Sequence, residues 1–92
     1  MRYAVVETAR FKRDYKLMLK QGRDEEKILR VIALLANGEK LPIRYQDHLL
    51  QGDYTGFREC HIESDWLLIY KIQNDVLVLT LQRTGSHSAL FR

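Results

Sequence analysis

The sequence of 92 residues is poor in several residue types, and each shortage excludes a class of structure or of chemistry. Cys60 is the only cysteine, which excludes an internal disulfide and a metal site built from paired thiolates. The longest apolar runs, Trp66–Tyr70 and Val76–Leu79, are far shorter than the roughly 20 residues that cross a bilayer. The N-terminus also lacks the apolar stretch of a signal peptide. We therefore expect a cytoplasmic protein with no membrane partner.

Motifs of several common enzyme classes are missing as well. The sequence contains no H-E-x-x-H pair, no Gly-rich phosphate loop and no G-x-S-x-G elbow. These absences argue against nucleotide hydrolysis and against the commonest serine hydrolases, and we expect no cofactor. The formal net charge of +3 is too small to prove an RNA partner but is compatible with one. Basic residues cluster within residues 10–20, which fits either an RNA contact or a solvated helix face.

The first half of the chain has the pattern of one strand and two helices. Alternation over residues 3–7 predicts a short, mostly buried strand. Thr8 is placed to cap a first helix that ends near Gly22, and Asp24 to cap a second helix that Gly38 closes. The expected buried positions of these helices follow a helical period. They are Phe11, Tyr15 and Met18 in the first helix, and Ile28, Val31, Ile32 and Leu35 in the second.

After an irregular connection over residues 39–52, the period changes to that of β-strands. The sequence predicts three strands, Phe57–Glu63, Trp66–Ile72 and Val76–Arg83, and the last two form a hairpin. Both faces of that hairpin are apolar, so we expect its strands to be central and covered on both sides. The order β-α-α-β-β-β predicts one α+β domain over residues 1–92, in which two N-terminal helices pack on a mostly antiparallel four-stranded sheet.

The residues that can carry acid–base chemistry lie in the second half of the chain. Because side chains alternate along a strand, Glu59 and His61 share one face, whereas Cys60 is expected to face the core. His48 and His87 lie in segments next to the predicted strands, where catalytic groups often sit. Each of these residues alone is explained as a core or an exposed side chain. Their combination is what indicates a functional site.

Two further residues at this site have competing explanations. Asp65 and Trp66 follow at the bend into the next strand, where aspartate is typical of a turn and tryptophan of core packing. The three histidines also match the number of protein ligands in many catalytic zinc sites. A zinc hydrolase is therefore a further alternative, although no ligand motif supports it.

Several segments together resemble the YafQ branch of the RelE-type toxins, and the resemblance covers the whole chain. They are Asp47–Gly52, Gly56–Trp66, Ile69–Tyr70 and the tail Arg83–Phe91. The resemblance implies the small RelE-like microbial RNase fold. It also implies the toxin of a bacterial type II toxin–antitoxin pair, which cleaves messenger RNA, typically on the ribosome. The expected antitoxin is acidic, wraps the basic first helix and covers the site.

The resemblance also assigns site residues by position. Those that match the family's catalytic set are His48, His61, Asp65 and His87, and those that match supporting residues are Arg83 and Phe91. Glu59 stands where the family pattern has aspartate, and Ser64 stands where it has proline. Glu59 is therefore expected to act with the substrate-binding residues. Trp66 and Phe91 are candidates to stack on RNA bases, although core packing at the start of a strand explains Trp66 at least as well.

The assigned residues suit metal-free cleavage of RNA, because the 2′-OH of the substrate is itself the nucleophile. Imidazole serves as acid or base near neutral pH. We predict that His87 is the general acid and that Arg83 binds the phosphate. His61 or Asp65 is the base, and His48 assists or positions RNA. The alternative function is a catalytically inactive module that binds RNA, the ribosome or an antitoxin in operon autoregulation, but a pure binder does not need this acid–base set.

Overall fold

The structure is a computed structural model that describes residues 1–91. Its strands are β1 (Ala4–Glu7), β2 (His48–Leu49), β3 (Arg58–Glu63), β4 (Trp66–Gln73) and β5 (Val78–Gly85). Its helices are α1 (Ala9–Lys20), α2 (Glu25–Ala36) and the short C-terminal α3 (His87–Leu90), and two single turns of 3-10 helix cover Ile43–Tyr45 and Gly52–Tyr54. None of the helices within residues 1–91 is both long enough and apolar enough to cross a membrane.

The first two helices begin at the predicted caps. The Thr8 hydroxyl accepts the backbone N–H of Phe11 at 3.0 Å, and the Asp24 carboxylate accepts the backbone N–H of Glu26 at 3.0 Å. Each bond satisfies an amide that has no partner inside its helix, which fixes where the helix starts. Gly22 has a left-handed φ of 77° just after α1, which ends at Lys20.

The five strands form one sheet in the order β1-β5-β4-β3-β2. β1 pairs parallel to β5, and all other pairs are antiparallel. The predicted α+β class is confirmed, but the count of four strands is wrong by one, because His48 and Leu49 pair with β3 inside the connection that was expected to be irregular. The last strand also starts later than predicted, since Val76 and Leu77 form the turn and Leu77 has a φ of 54°.

Apolar side chains cover both faces of the central strand β4, as predicted. Trp66, Leu68 and Tyr70 face the main core, which includes the buried side chains of α1 and α2. Leu67 and Ile69 face the other way and form a second cluster with Leu90, against which partly buried side chains pack: Leu50, Tyr54, Phe57 and Phe91. The second cluster holds α3 on the sheet face that is opposite α1 and α2.

The prediction that the first strand is mostly buried is wrong. All four residues of β1 are exposed, including Val5 and Val6. β1 lies at the edge of the sheet and pairs only with β5, so its alternating apolar residues reflect β-strand formation rather than a central position.

Candidate active site

Glu59 is the centre of a polar cluster on the sheet face opposite α1 and α2. Its Oε1 lies 3.6 Å from Nε2 of His48 and 3.5 Å from Nε2 of His61, and only 5% of the residue is exposed. The prediction that Glu59 and His61 share a face is confirmed. Both distances suit charge attraction and exceed those of hydrogen bonds. A buried carboxylate between two imidazoles brings together the side-chain types that serve as acids and bases near neutral pH.

Two contacts hold His48 in place, one across the sheet and one to a preceding residue of the chain. The strand β2 places His48 directly opposite Glu59 in the register of the sheet. Nδ1 of His48 lies 2.7 Å from the carbonyl oxygen of Gln46, which is in the left-handed conformation with φ 50°. Since a carbonyl oxygen only accepts, Nδ1 carries a proton, and Nε2 is the nitrogen left to exchange a proton at the site.

Asp47 anchors the segment that carries His48. Its carboxylate forms an ion pair with Arg58 at 3.1 Å and accepts a hydrogen bond from the hydroxyl of Tyr70. Burial and this hydrogen bond raise the pKa of the Tyr70 phenol, so it stays protonated and keeps donating. These contacts fix the backbone next to His48 from the sheet face opposite Glu59.

His61 is partly buried, with 22% of its side chain exposed. Its ring centroid is 6.4 Å from that of His48. Nδ1 of His61 is buried and has no hydrogen-bond partner among residues 1–91. A buried polar atom without a partner lowers stability, and such atoms occur at functional sites.

The second group of site residues surrounds α3. Asp65 lies in the turn between β3 and β4, and its carboxylate accepts the backbone N–H of His87 at 2.9 Å. The ring of His87 contacts the ring of Phe91 with centroids 4.9 Å apart, and Phe91 meets the Tyr54 ring edge-on at 5.7 Å. The turn role that aspartate suggests is therefore combined with a direct contact to the backbone of a predicted catalytic residue.

The strand register places these two groups on the same face of the sheet. His48 of β2 is opposite Glu59 of β3, and Glu59 is opposite Ile69 of β4. Ile69 is in turn opposite Arg83 of β5, so the four residues form one row across four strands. His61 is opposite Leu67, which is opposite Gly85, two residues before His87. Adjacent strands are about 4.8 Å apart, so the polar cluster and the start of α3 are separated by roughly 10 Å of sheet.

Arg83 already has an acidic partner that the sequence did not reveal. Its Nε and Nη2 donate to Asp14 of α1 at 2.6 and 3.1 Å, and Asp14 also accepts the backbone N–H of Thr84 at 3.2 Å. The hydrogen bond to Asp14 raises the pKa of the Arg83 guanidinium, which therefore stays charged. The ion pair orients the guanidinium, so a phosphate must approach its remaining N–H groups.

Two residues belong to the main core. Trp66 is fully buried and donates to the Thr84 hydroxyl at 3.0 Å, so the prediction that Trp66 stacks on RNA bases is wrong: its ring is inside the protein. Cys60 is also fully buried, as expected from the alternation along β3, and burial raises the pKa of its thiol. Neither side chain is available to a substrate.

Sequence reasoning missed Asp14, Asp47 and Tyr54 as parts of the site. Asp14 lies 69 residues from Arg83 along the chain, and no periodicity links them. Asp47 carried a signal, since it directly precedes His48 in the segment that resembles the toxin family. Tyr54 belongs to a single turn of 3-10 helix, whose length gives no helical pattern.

Comparisons with a family model, with curated proteins and with solved structures all point to one family. The family model described as "Bacterial toxin of type II toxin-antitoxin system, YafQ" matches residues 3–92. The mRNA interferase toxin YafQ of Escherichia coli strain K12 is 41% identical over 85 residues, which cover 91% of this chain and 90% of that protein. The crystal structure of the E. coli DinJ–YafQ complex has a TM-score of 0.90 at 38% identity and covers 98% of this chain and 99% of that chain. The crystal structure of a metal-bound toxin from Helicobacter pylori has a TM-score of 0.91 at 38% identity and covers 97% of this chain and 99% of that chain.

Proposed function

Because the chain belongs to the YafQ family of bacterial type II toxins, we propose that it is an endoribonuclease that cleaves messenger RNA on the ribosome and thereby inhibits translation. The observation that carries the proposal is the row of His48, Glu59 and Arg83 across one sheet face, with His61 beside Glu59. A site that only binds RNA needs cations and aromatic rings, whereas this row also buries a carboxylate between two imidazoles. Such a group is costly to bury and is useful for proton transfer.

The roles follow from what each group contacts. The 2′-OH of the RNA attacks the adjacent phosphorus, its proton passes to a base, and the 5′-oxygen of the next nucleotide leaves with a proton from an acid. His61 and Asp65 are the candidate bases, and His48 supports the first of them through Glu59. His87 is the acid, oriented by Asp65 and by the Phe91 ring. Each acid or base contributes typically ~10²–10⁴-fold to the rate.

Arg83 and Phe91 contribute to binding. Arg83 uses the N–H groups that Asp14 leaves free to offset charge on the scissile phosphate. Phe91 is partly exposed next to His87, so its free face stacks on a base. These two side chains place the phosphate between the proposed acid and base.

The partner expected from the family is a cognate antitoxin, as in the E. coli complex of YafQ with DinJ. We infer that the antitoxin of this toxin is acidic, because α1 presents basic side chains that are exposed: Arg10, Lys12, Arg13, Lys16 and Lys20. Neutralisation in the cytoplasm would then combine charge attraction with coverage of the site.

The reaction requires no metal ion in this scheme. A similar toxin from H. pylori has been crystallised in a metal-bound form, which raises the question of whether the residues of this chain could hold a metal ion. Within residues 1–91, no group of three or more histidine, cysteine, aspartate or glutamate side chains is arranged so that it could hold a metal ion. Every proposed step uses side chains of the protein alone.

The test is cleavage of a defined messenger on translating ribosomes in the presence of a chelator. We expect in-frame cuts with 2′,3′-cyclic or 3′-phosphate ends, and we expect His87→Ala to abolish them without changing the thermal unfolding curve. Ser88→Ala, an exposed neighbour in α3, is the matched control and should cut normally. Absence of cuts by the folded wild-type protein, with or without ribosomes, would instead support an inactive binding module.

A further inference from the structure

A basic cleft opens next to His61, at the outer edge of β3. β2 pairs only with Arg58 and Glu59, so the part of β3 beyond them has no strand neighbour on that side. The cleft has a volume of about 420 Å³, which lies in the range of ligand pockets of roughly 300–1,000 Å³. His61 forms one wall of it, and so the cleft borders the polar cluster.

The charges of the cleft are unbalanced in favour of an anion. Lys27 and Arg30 from α2 and Arg44 from the 3-10 turn line it, against the single carboxylate of Glu63. Lys27 contacts Glu63 at 3.2 Å, but both side chains are exposed, so this ion pair is weak and exchangeable. Neither Arg30 nor Arg44 forms an ion pair with a carboxylate of residues 1–91.

The planar guanidinium of Arg44 is held in position to contact an anion. Its guanidinium lies 4.8 Å from the centroid of the Tyr45 ring, and its Nη2 donates to the Tyr45 hydroxyl at 3.0 Å. Tyr45 is itself buried, so the guanidinium rests on a fixed surface. A guanidinium held by one edge keeps its other N–H groups for a phosphate, which it can bind through two hydrogen bonds.

We infer that this cleft binds the phosphate backbone of the RNA substrate on the 5′ side of the cut, with Arg30 and Arg44 as the main contacts. The inference rests on the proposed function, in which His87 protonates the 5′-oxygen of the downstream nucleotide. α3 with His87 packs over β4 and β5, whereas the cleft lies beyond β3 at the other side of His61. The downstream strand therefore leaves past α3, and the upstream strand extends into the cleft.

The first experiment measures binding without cleavage. The probe is a single-stranded RNA with one 2′-deoxy nucleotide at the cut position, and its affinity is followed by fluorescence anisotropy over a range of salt concentrations. For single strands, log K falls by about 0.7 per decade of salt for each neutralised phosphate. Loss of two contacts in Arg30→Gln/Arg44→Gln should therefore flatten the slope by about 1.4. An unchanged slope, or no binding by the wild type at low salt, overturns the inference.

The second experiment uses cleavage on programmed ribosomes and locates the contact. A neutral methylphosphonate linkage is placed just upstream or just downstream of the cut site. The upstream linkage should slow the wild type roughly tenfold and have little additional effect on the double variant, because the contact is already lost. The matched control Arg10→Gln/Arg13→Gln removes two exposed arginines of α1 and should stay as sensitive to the upstream linkage as the wild type.

The outcomes separate the inference from the proposed function. Cleavage with equal sensitivity of the wild type and the cleft variant to the upstream linkage refutes the cleft site and leaves the nuclease intact. RNA binding through the cleft without any cleavage refutes the nuclease and leaves the cleft site intact. If the cleft variant cuts normally but loses affinity for the antitoxin, the cleft is an antitoxin surface and the inference is wrong.

Discussion

Replacement of Glu59 by glutamine separates a catalytic from a structural role, because the two roles predict opposite signs. Glutamine has the shape of glutamate but no charge. If the carboxylate holds a proton on His48 or His61 during the reaction, Glu59→Gln should slow cleavage by about 10²–10⁴-fold, which corresponds to about 2.7–5.4 kcal/mol of activation free energy.

The same substitution should not destabilise the fold. Glu59 is 5% exposed, and a buried carboxylate costs several kcal/mol in lost hydration. Its closest basic atoms, Nε2 of His48 and of His61, lie at 3.6 and 3.5 Å, beyond hydrogen-bond length, so they offset this cost only in part. Removal of the charge should leave the melting temperature unchanged or raise it by a few degrees, since 1 kcal/mol corresponds to about 4–8 °C for a domain of this size.

The assay combines single-turnover cleavage on ribosomes with thermal unfolding of the isolated protein. Glu39→Gln removes a charge from an exposed residue after α2 and serves as the control, with no change expected in either measurement. Wild-type cleavage by Glu59→Gln would refute the proton-holding role. A fall in melting temperature of more than about 8 °C together with lost cleavage would show that the carboxylate supports the fold instead.

Two further predictions concern residues on the helix side of the sheet. Asp14→Ala leaves the mostly buried Arg83 guanidinium and the Thr84 N–H without their acceptor. We therefore expect the free energy of unfolding, measured with urea, to fall by about 2–4 kcal/mol. A loss of less than about 1 kcal/mol would contradict this reasoning. Cys60 should resist alkylation in the native protein at pH 8, because burial raises the thiol pKa and so lowers the thiolate fraction. The variant Cys60→Ala should still cut RNA. Rapid alkylation, or loss of cleavage by the folded variant, would instead support a nucleophilic role for Cys60.

Features encoded by neighbouring residues could be predicted from the sequence. The caps at Thr8 and Asp24 depend on a side chain and an amide two or three residues away, and both are present. The shared face of Glu59 and His61 follows from the two-residue period of a strand. These predictions required no knowledge of the rest of the fold.

Features that depend on distant partners could not be predicted in this way. The two-residue strand at His48 exists only because its backbone finds β3, and a strand that short has no periodicity of its own. The pairing of Asp14 with Arg83 requires α1 to lie beside β5. The sequence allowed Trp66 either to contact RNA or to pack in the core. Only the packing of the helices on the sheet shows that its side chain belongs to the core.

The second apolar cluster explains how a site divided between two segments keeps its geometry. The polar cluster around Glu59 is carried by β2 and β3, whereas His87 is carried by the four-residue helix α3, which is too short to be stable alone. Leu67 and Ile69 of β4 lie between the two groups and are buried together with Leu90 of α3. Burial of such side chains contributes roughly 1.5–3 kcal/mol each, enough to hold α3 in place. The sheet face that carries the proposed acid and base therefore needs apolar residues at its centre, because they fix the distance between the two groups.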